Sequence, residues 1–448
     1  MVTAAIELCD SALALASGGE LAAAGPGHAA LVNGRLVFGS EARAVLRLKP
    51  RAVHRSFWHS LAEAPLAVPL GTALTTADLV QAQLASLWQA RGAADAAVLA
   101  VPAGWSTEQL GLLLGIAEGV GMPVAGLVDG AVAASRRPYP GRALWHLVAG
   151  LQATWLSRIE QSSGATLGFR HGVERFGIET LERGATEFIA RRFVECSRFD
   201  PLHNARSEQL VTDRLDGWLA LAARQDLVPL ELEHGGHRYE ATLEAAALRE
   251  AMTRLCVPLT QRLRTLISPR EASVLQVHHR LAEFPGVIES LLTLPGCAVV
   301  LLEPGAGARG ALRLRAAPAA SHTLTTSLGF DQPALAAAAL PQTAAGRPPT
   351  HLVWGSRAWR LGDRALQAGT ESADGAYNLA LTGNAVSRRH FTIAREDGQF
   401  VLHDQSRYGT LLNGHAVTGA AVLQAGDVIS VGQPPLVLTL VAEAGDAP

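Results

Sequence analysis

From Leu74 to Gly92 the chain reads LTTADLVQAQLASLWQARG. Leu79, Ala82, Gln83, Leu84 and Leu87 fall near helical spacing, which predicts an amphipathic helix with Thr76 as its cap. AAVLAVP follows as a continuous apolar run, the pattern of a buried strand. STEQLGLLLGIAEGVG predicts the next helix, opened by a capping box of Ser106 and Gln109. PVAGLVDG returns to strand and turn, GAVAASRR begins another helix, and AAIEL near the N-terminus is a further short strand. Strands alternating with helices predict an α/β architecture for the N-terminal region.

The C-terminal region has a different rhythm. HLVWG, WRLG, HFTIARE, QFVLHD, GTLLNG, DVISVG and LVLTLVAE are short strand candidates separated by turn residues. In the last of them Leu436, Leu438 and Leu440 share one face, and Val437, Thr439 and Val441 share the other. That density of short strands predicts an all-β sandwich. Between the two regions, residues 316–349 are rich in Ala, Pro, Ser and Thr and read as a linker. The expected domains are therefore 1–315, a linker over 316–349, and 350–448. Thr323, Thr325 and Thr326 in the linker are candidate phosphorylation sites for the C-terminal module to read.

Composition narrows the function classes. Of 448 residues, 48% are hydrophobic and 17% charged, enough apolar surface for a substantial core. A net charge of -2 argues against a nucleic-acid binder. Cys9, Cys196, Cys256 and Cys297 are too scattered for a metal site and suit reduced thiols. The N-terminus lacks the basic flank of a signal peptide, and apolar stretches are broken by Pro or charge, so neither secretion nor a membrane partner is expected. A cytoplasmic protein is expected. Asp200, His203 and Ser207 lie too locally to argue for a catalytic triad, and no Gly-rich phosphate-loop or metalloprotease motif is present.

Three C-terminal segments carry chemistry: VSRRHFTI (386–393), HDQSRYGTLLNG (403–414) and LQAGDVISVG (423–432). A phosphothreonine has nearly two negative charges and three acceptor oxygens, so its site needs hydroxyl and guanidinium donors on loops of a rigid scaffold. Ser387 and Arg388 supply both just before a strand. In order and spacing the segments resemble the forkhead-associated (FHA) family. The resemblance implies phosphate contact by Ser387 and Arg388, with Arg407 beside them. It implies that Asn413 holds the peptide backbone, that Gly409 and Thr410 shape the second loop next to the peptide, and that His390 braces the loops. The family's early Gly-Arg is shifted here to Gly362-Asp363-Arg364, so Arg364 is a candidate phosphate contact, and Tyr408 stands where the family usually has Asn. The implied partner is a phosphothreonine-containing protein of a serine/threonine kinase pathway of bacterial type.

Ahead of residue 316, AAVLAVPAGWSTEQLGLLLGIAEGVGMPVAGLVDGAVAAS (96–135) and LVNGRLVFGSEARAVLRLKP (31–50) resemble the actin-like ATPase superfamily, specifically DnaK-type nucleotide domains. The resemblance implies two lobes around a cleft. Its first phosphate loop is held here by Glu7, Leu8, Cys9 and Asp10; in its second, Val148 replaces Asp and Gly150 alone is kept; in its adenosine loop, His278 and His279 replace both glycines. A Cβ at Cys9 and negative charge at Asp10 oppose a triphosphate. The resulting expectation is a pseudo-ATPase without cofactor or metal, acting as a non-catalytic adaptor that binds a second protein through its actin-like domain. The alternative is an active ATP-dependent chaperone or switch. His278 and His279 would face opposite ways on a strand, which disfavours a shared metal.

Overall fold

The computed structural model describes residues 2–269, 271–315, 321–335, 348–354, 357–371, 378–413, 415–433 and 435–442. The chain divides into two compact units. One comprises Met1–Cys256, Val274–Ile288 and Val299–Leu340; the other comprises Val257–Ser273, Glu289–Ala298 and Pro341–Pro448.

The first unit is α/β, as its alternating pattern predicts. One six-stranded sheet runs in the order Leu324–Thr325, Val124–Asp129, Ala96–Val101, Thr3–Glu7, Leu13–Ser17, Glu20–Gly25. Its last three strands form an antiparallel meander, and the remainder are parallel to Thr3–Glu7. Ala96–Val101 and Val124–Asp129 are buried along their whole length, which is why the first reads as an unbroken apolar run. A second six-stranded sheet repeats the plan, in the order Cys297–Leu301, Ser273–Val277, Ala143–Ala149, Thr154–Gln161, Gly164–Val173, Ser327–Gly329. Here too a three-stranded antiparallel meander carries further strands on its first edge.

The helix expected after Leu74 spans Thr76–Gln89. Its N-cap is Thr75, in a capping box with Asp78; Thr76 instead donates to the carbonyls of Ser60 and Ala62. Thr107–Gly119 opens with the Ser106–Gln109 capping box. Gly130–Ala134 is capped by Asp129, whose carboxylate accepts from the amides of Ala131 and Val132. Among the described residues no helix is long and apolar enough to cross a membrane.

Part of the segment read as a linker is structured. Leu324–Thr325 pairs with Leu127 and Val128, and Ser327–Gly329 pairs with residues 164–166, so each sheet receives an edge strand. Arg136 clamps Asp331 at 2.6 Å, and Arg313 donates to the carbonyl of Gly329. The compact unit thus continues beyond residue 315, and strands of two and three residues are too short to show a period. Thr325 lies in one of these strands. Residues 336–347 lie outside the described residues.

The second unit is a β-sandwich with the helix Val257–Leu266 beside it in the same unit. One sheet runs Arg357–Arg360, His351–Trp354, Leu436–Val441, Val428–Val431, Leu411–Leu412, His415–Ala416; the other runs Asn378–Ala380, Leu366–Gly369, Phe391–Glu396, Gln399–Asp404, Ala420–Leu423. Leu352, Phe391, Ile393, Leu402, Ile429 and Leu438 fill the space between them. Leu438 and Leu440 face inward and Val437 and Val441 outward, as their alternation predicts.

Candidate functional site

The C-terminal site is built on loops at one end of the sandwich. The chain leaves strand Leu366–Gly369 directly beneath residues 387–389. A Cβ at Gly369 would come within 2.1 Å of the Arg388 carbonyl oxygen, so only glycine permits the approach. The amides of Thr370 and Glu371 then donate to the carbonyls of Ser387 and Arg388. This holds the backbone of the first loop while leaving its side chains outside.

His390 joins that loop to the next. Its Nδ1 accepts from the Ser387 amide at 2.9 Å, which places the ring proton on Nε2, and Nε2 donates to the Gly409 carbonyl at 3.2 Å. The side chain is fully buried. Burial lowers its pKa against the opposing pull of Gly409 and Asp404, so the ring is neutral when it braces. The second loop is pinned from within. Asp404 accepts from the Ser406 amide and the Thr410 hydroxyl, and Ser406 accepts from the Gly409 amide. Burial raises the Asp404 carboxyl, yet the bonds from Ser406 and Thr410 outweigh it and leave the pKa below the usual value.

These braces bring Ser387, Arg388 and Arg407 together at the surface. The Ser387 hydroxyl oxygen accepts from the Arg407 amide at 2.8 Å. Arg388 is 82% exposed, and its Nε lies 3.2 Å from a carboxylate oxygen of Glu371, a partner that the sequence did not point to. Tyr408, 60% exposed, stands next to Arg407. Arg364 is exposed, and the neighbouring Asp363 carboxylate accepts from Arg395.

Two residues expected to meet the peptide face inward. Thr410 is fully buried on Asp404. Asn413 is 7% exposed; its side-chain amide donates to Asp427 at 2.7 Å and its carbonyl oxygen accepts from the Val428 amide at 2.9 Å. Asn413 has a φ of 52°, a left-handed turn that turns its side chain into the module. Gly409, at φ 85°, makes the other sharp turn.

The candidate nucleotide-loop residues also gather, in the first unit. The turns following Thr3–Glu7 and Ala143–Ala149 meet each other directly. Asp10 Oδ1 accepts from the Leu151 amide at 2.8 Å, and the Ser11 hydroxyl donates to the Ala149 carbonyl at 2.6 Å. A Cβ at Gly150 would come within 2.6 Å of Asp10 Oδ1. The one glycine kept in the second loop therefore makes room for a carboxylate. Burial raises the Asp10 pKa and, with the Asp10 charge, pushes the Cys9 thiol up to about 12.

Glu7 Oε2 accepts from the amides of Gly307 and Ala308, while Oε1 stands 3.7 Å from His278 Nε2, beyond hydrogen-bond reach. Burial pushes Glu7 up to about 7 against these two amides. His278 and His279 are not on a strand. His278 caps the short helix His279–Ala282, and the two rings lie 4.4 Å apart, correcting the expectation of opposite faces. Burial, with His279, His146 and Arg280 nearby, lowers the pKa of His278 far below its usual value, and burial with Arg280 lowers that of His279 to about 4. Among the described residues no group of three metal-ligating side chains forms. Asp200, His203 and Ser207 build a turn, in which the Ser207 hydroxyl donates to the Pro201 carbonyl.

Comparison with curated proteins gives no match. A family model described as the FHA domain matches residues 369–432, from the glycine under Arg388 to the turn after Val428–Val431, and the C-terminal sandwich is accordingly this chain's FHA module.

Proposed function

We propose that the protein is a non-catalytic adaptor. Its FHA module docks on a phosphothreonine-containing partner made by a serine/threonine kinase. Its first unit is a degenerate actin-like, DnaK-type domain that engages a second protein without turning over nucleotide. The observation that carries the docking reading is the exposed group of Ser387, Arg388 and Arg407, held from behind by His390. A hydroxyl and two guanidinium groups match the oxygens and charge of a phosphate, and their loops are fixed before the ligand arrives.

The pseudo-ATPase reading is supported by Asp10 lying on Gly150. A buried carboxylate occupies the glycine surface that a phosphate would need, and its charge repels one. The repeated sheet plan fits a two-lobed fold. The deciding experiment is a pull-down from lysate with and without phosphatase treatment, repeated with Arg388→Ala. Loss of at least one captured protein both on phosphatase treatment and with Arg388→Ala supports the reading. If every captured protein is retained through both, the docking reading is removed.

A further inference from the structure

The first unit contains a cavity of about 80 Å³ whose walls are unlike those of a phosphate site. Trp58, Trp105 and Trp155 line it together with Glu7, Asp10 and His146, and no lysine or arginine is among its lining residues. The Trp58 and Trp105 rings are nearly parallel, 15° apart in plane, with centroids 6.3 Å apart. Trp155 packs on Gly104, where an added Cβ would come within 2.3 Å of its ring. Trp58 Nε1 already donates to Gln83, so its polar atom is satisfied and its π surface remains.

The polar lining is satisfied only in part: Asp10 accepts from the Leu151 amide and Glu7 from the amides of Gly307 and Ala308. His146 is 3% exposed and its Nδ1 has no hydrogen-bond partner. Glu7 and Asp10 are 7% and 8% exposed, yet neither has a cationic side chain in hydrogen-bonding contact. His59, also in the lining, and Arg309 act on Asp10 and Glu7 only through space, and buried carboxylates without a bonded positive partner carry a desolvation cost that a bound cation relieves. Aromatic faces attract the same kind of ligand through their negative quadrupole.

We propose that this cavity binds the head of a small organic cation, an ammonium or guanidinium group, with the aromatic walls on its faces and Asp10 and Glu7 as counter-charges. An apolar cavity of ~150 Å³ holds benzene, so about half that volume admits a head of roughly five heavy atoms, and the remainder of the ligand projects through the mouth. An anion meets two carboxylates. A neutral molecule leaves the buried carboxylate charge uncompensated. The site is independent of the phosphothreonine face, and its failure leaves the docking reading untouched.

The test is titration calorimetry of the full chain with choline and with methylguanidine, each against an uncharged isostere, 3,3-dimethylbutan-1-ol and methylurea. At least one cation should bind with one-to-one stoichiometry, about tenfold or more tighter than its isostere. Asp10→Asn keeps the acceptor for the Leu151 amide but removes the charge, and should weaken that cation about tenfold. Trp105→Leu, at a half-buried position, should weaken it comparably. Equal affinity for cation and isostere would show a merely apolar pocket. Heats at the dilution level for both cations at roughly ten millimolar, or Asp10→Asn binding as tightly as the parent, would each overturn the proposal.

Discussion

The carboxylate of Asp10 accepts the backbone N–H of Leu151 at 2.8 Å, a bond spanning 141 residues that closes two turns on one another. On the proposed pseudo-ATPase reading, this bond takes a donor that a phosphate would need. Mg-ATP should therefore leave the melting temperature unchanged, where a ligand at a hundredfold over its Kd would add about 2.7 kcal/mol. Micromolar binding of Mg-ATP in calorimetry would contradict this. Asp10→Ala orphans the Leu151 amide and should cost about 1–3 kcal/mol, read as a lowered melting temperature.

Arg388 and Arg389 are adjacent and both exposed, but only Arg388 follows Ser387 directly and pairs with Glu371. Arg388→Ala should weaken a phosphothreonine peptide roughly ten- to a hundredfold, with Arg389→Ala doing much less. Glu371→Gln frees Arg388 from a competing carboxylate and should tighten binding by a few-fold at most, since the pair is solvent-exposed. Fluorescence anisotropy with phosphorylated and unphosphorylated peptide distinguishes these outcomes. Equal, small effects of all three substitutions would move the site elsewhere.

Asn413 contributes to stability in this structure. Asn413→Ala leaves the Val428 amide unpartnered in the interior, at a cost of about 1–3 kcal/mol, and takes one donor from the Asp427 carboxylate, which keeps the Gln424 amide. The melting transition of the FHA module should fall, and at a temperature where the variant is folded its peptide affinity should stay within a few-fold of the parent. A large affinity loss with an unchanged transition would instead mark Asn413 as a direct peptide contact.

Glu7 gives a pH signature with a definite sign. Its folded pKa, about 7, lies above the ordinary 4.5, so the folded state favours the protonated form. Below pH 4.5 the group is protonated in both states, and stability is lost as pH rises through 7. Glu7→Gln keeps the acceptor for Gly307 and Ala308 while removing the charge. Its stability relative to the parent should climb between pH 4.5 and 7 and then level off, by an amount on the order of 3 kcal/mol. Thermal melts across that range measure it, and a difference independent of pH would refute the assignment.

The sequence was most legible where side-chain type and period coincide. Ser106 and Gln109 form their capping box, Ala96–Val101 is a buried strand, and Ser387 to His390 form the loop that their order implied. It was least legible where backbone geometry decides. Asn413 and Ser387 look equally suited to hydrogen-bond a peptide, but a positive φ turns Asn413 inward while Ser387 stays at the surface. His278 and His279 read as the end of a strand because the apolar run VLQV precedes them, yet the strand stops at Val277 and a helix starts. Leu366–Gly369 and Asn378–Ala380 were hidden because strands of three or four residues with Gly and Ala show no alternation.

Leu324–Thr325 and Ser327–Gly329 are separated by a single residue, yet they are laid against two different sheets. A growing polypeptide emerges from the ribosome in order, so both sheets wait with one flank open until residue 329 has been made. Open flanks invite pairing with other nascent chains. The first unit can seal only late in its own synthesis, and a single six-residue stitch seals both sheets almost at once.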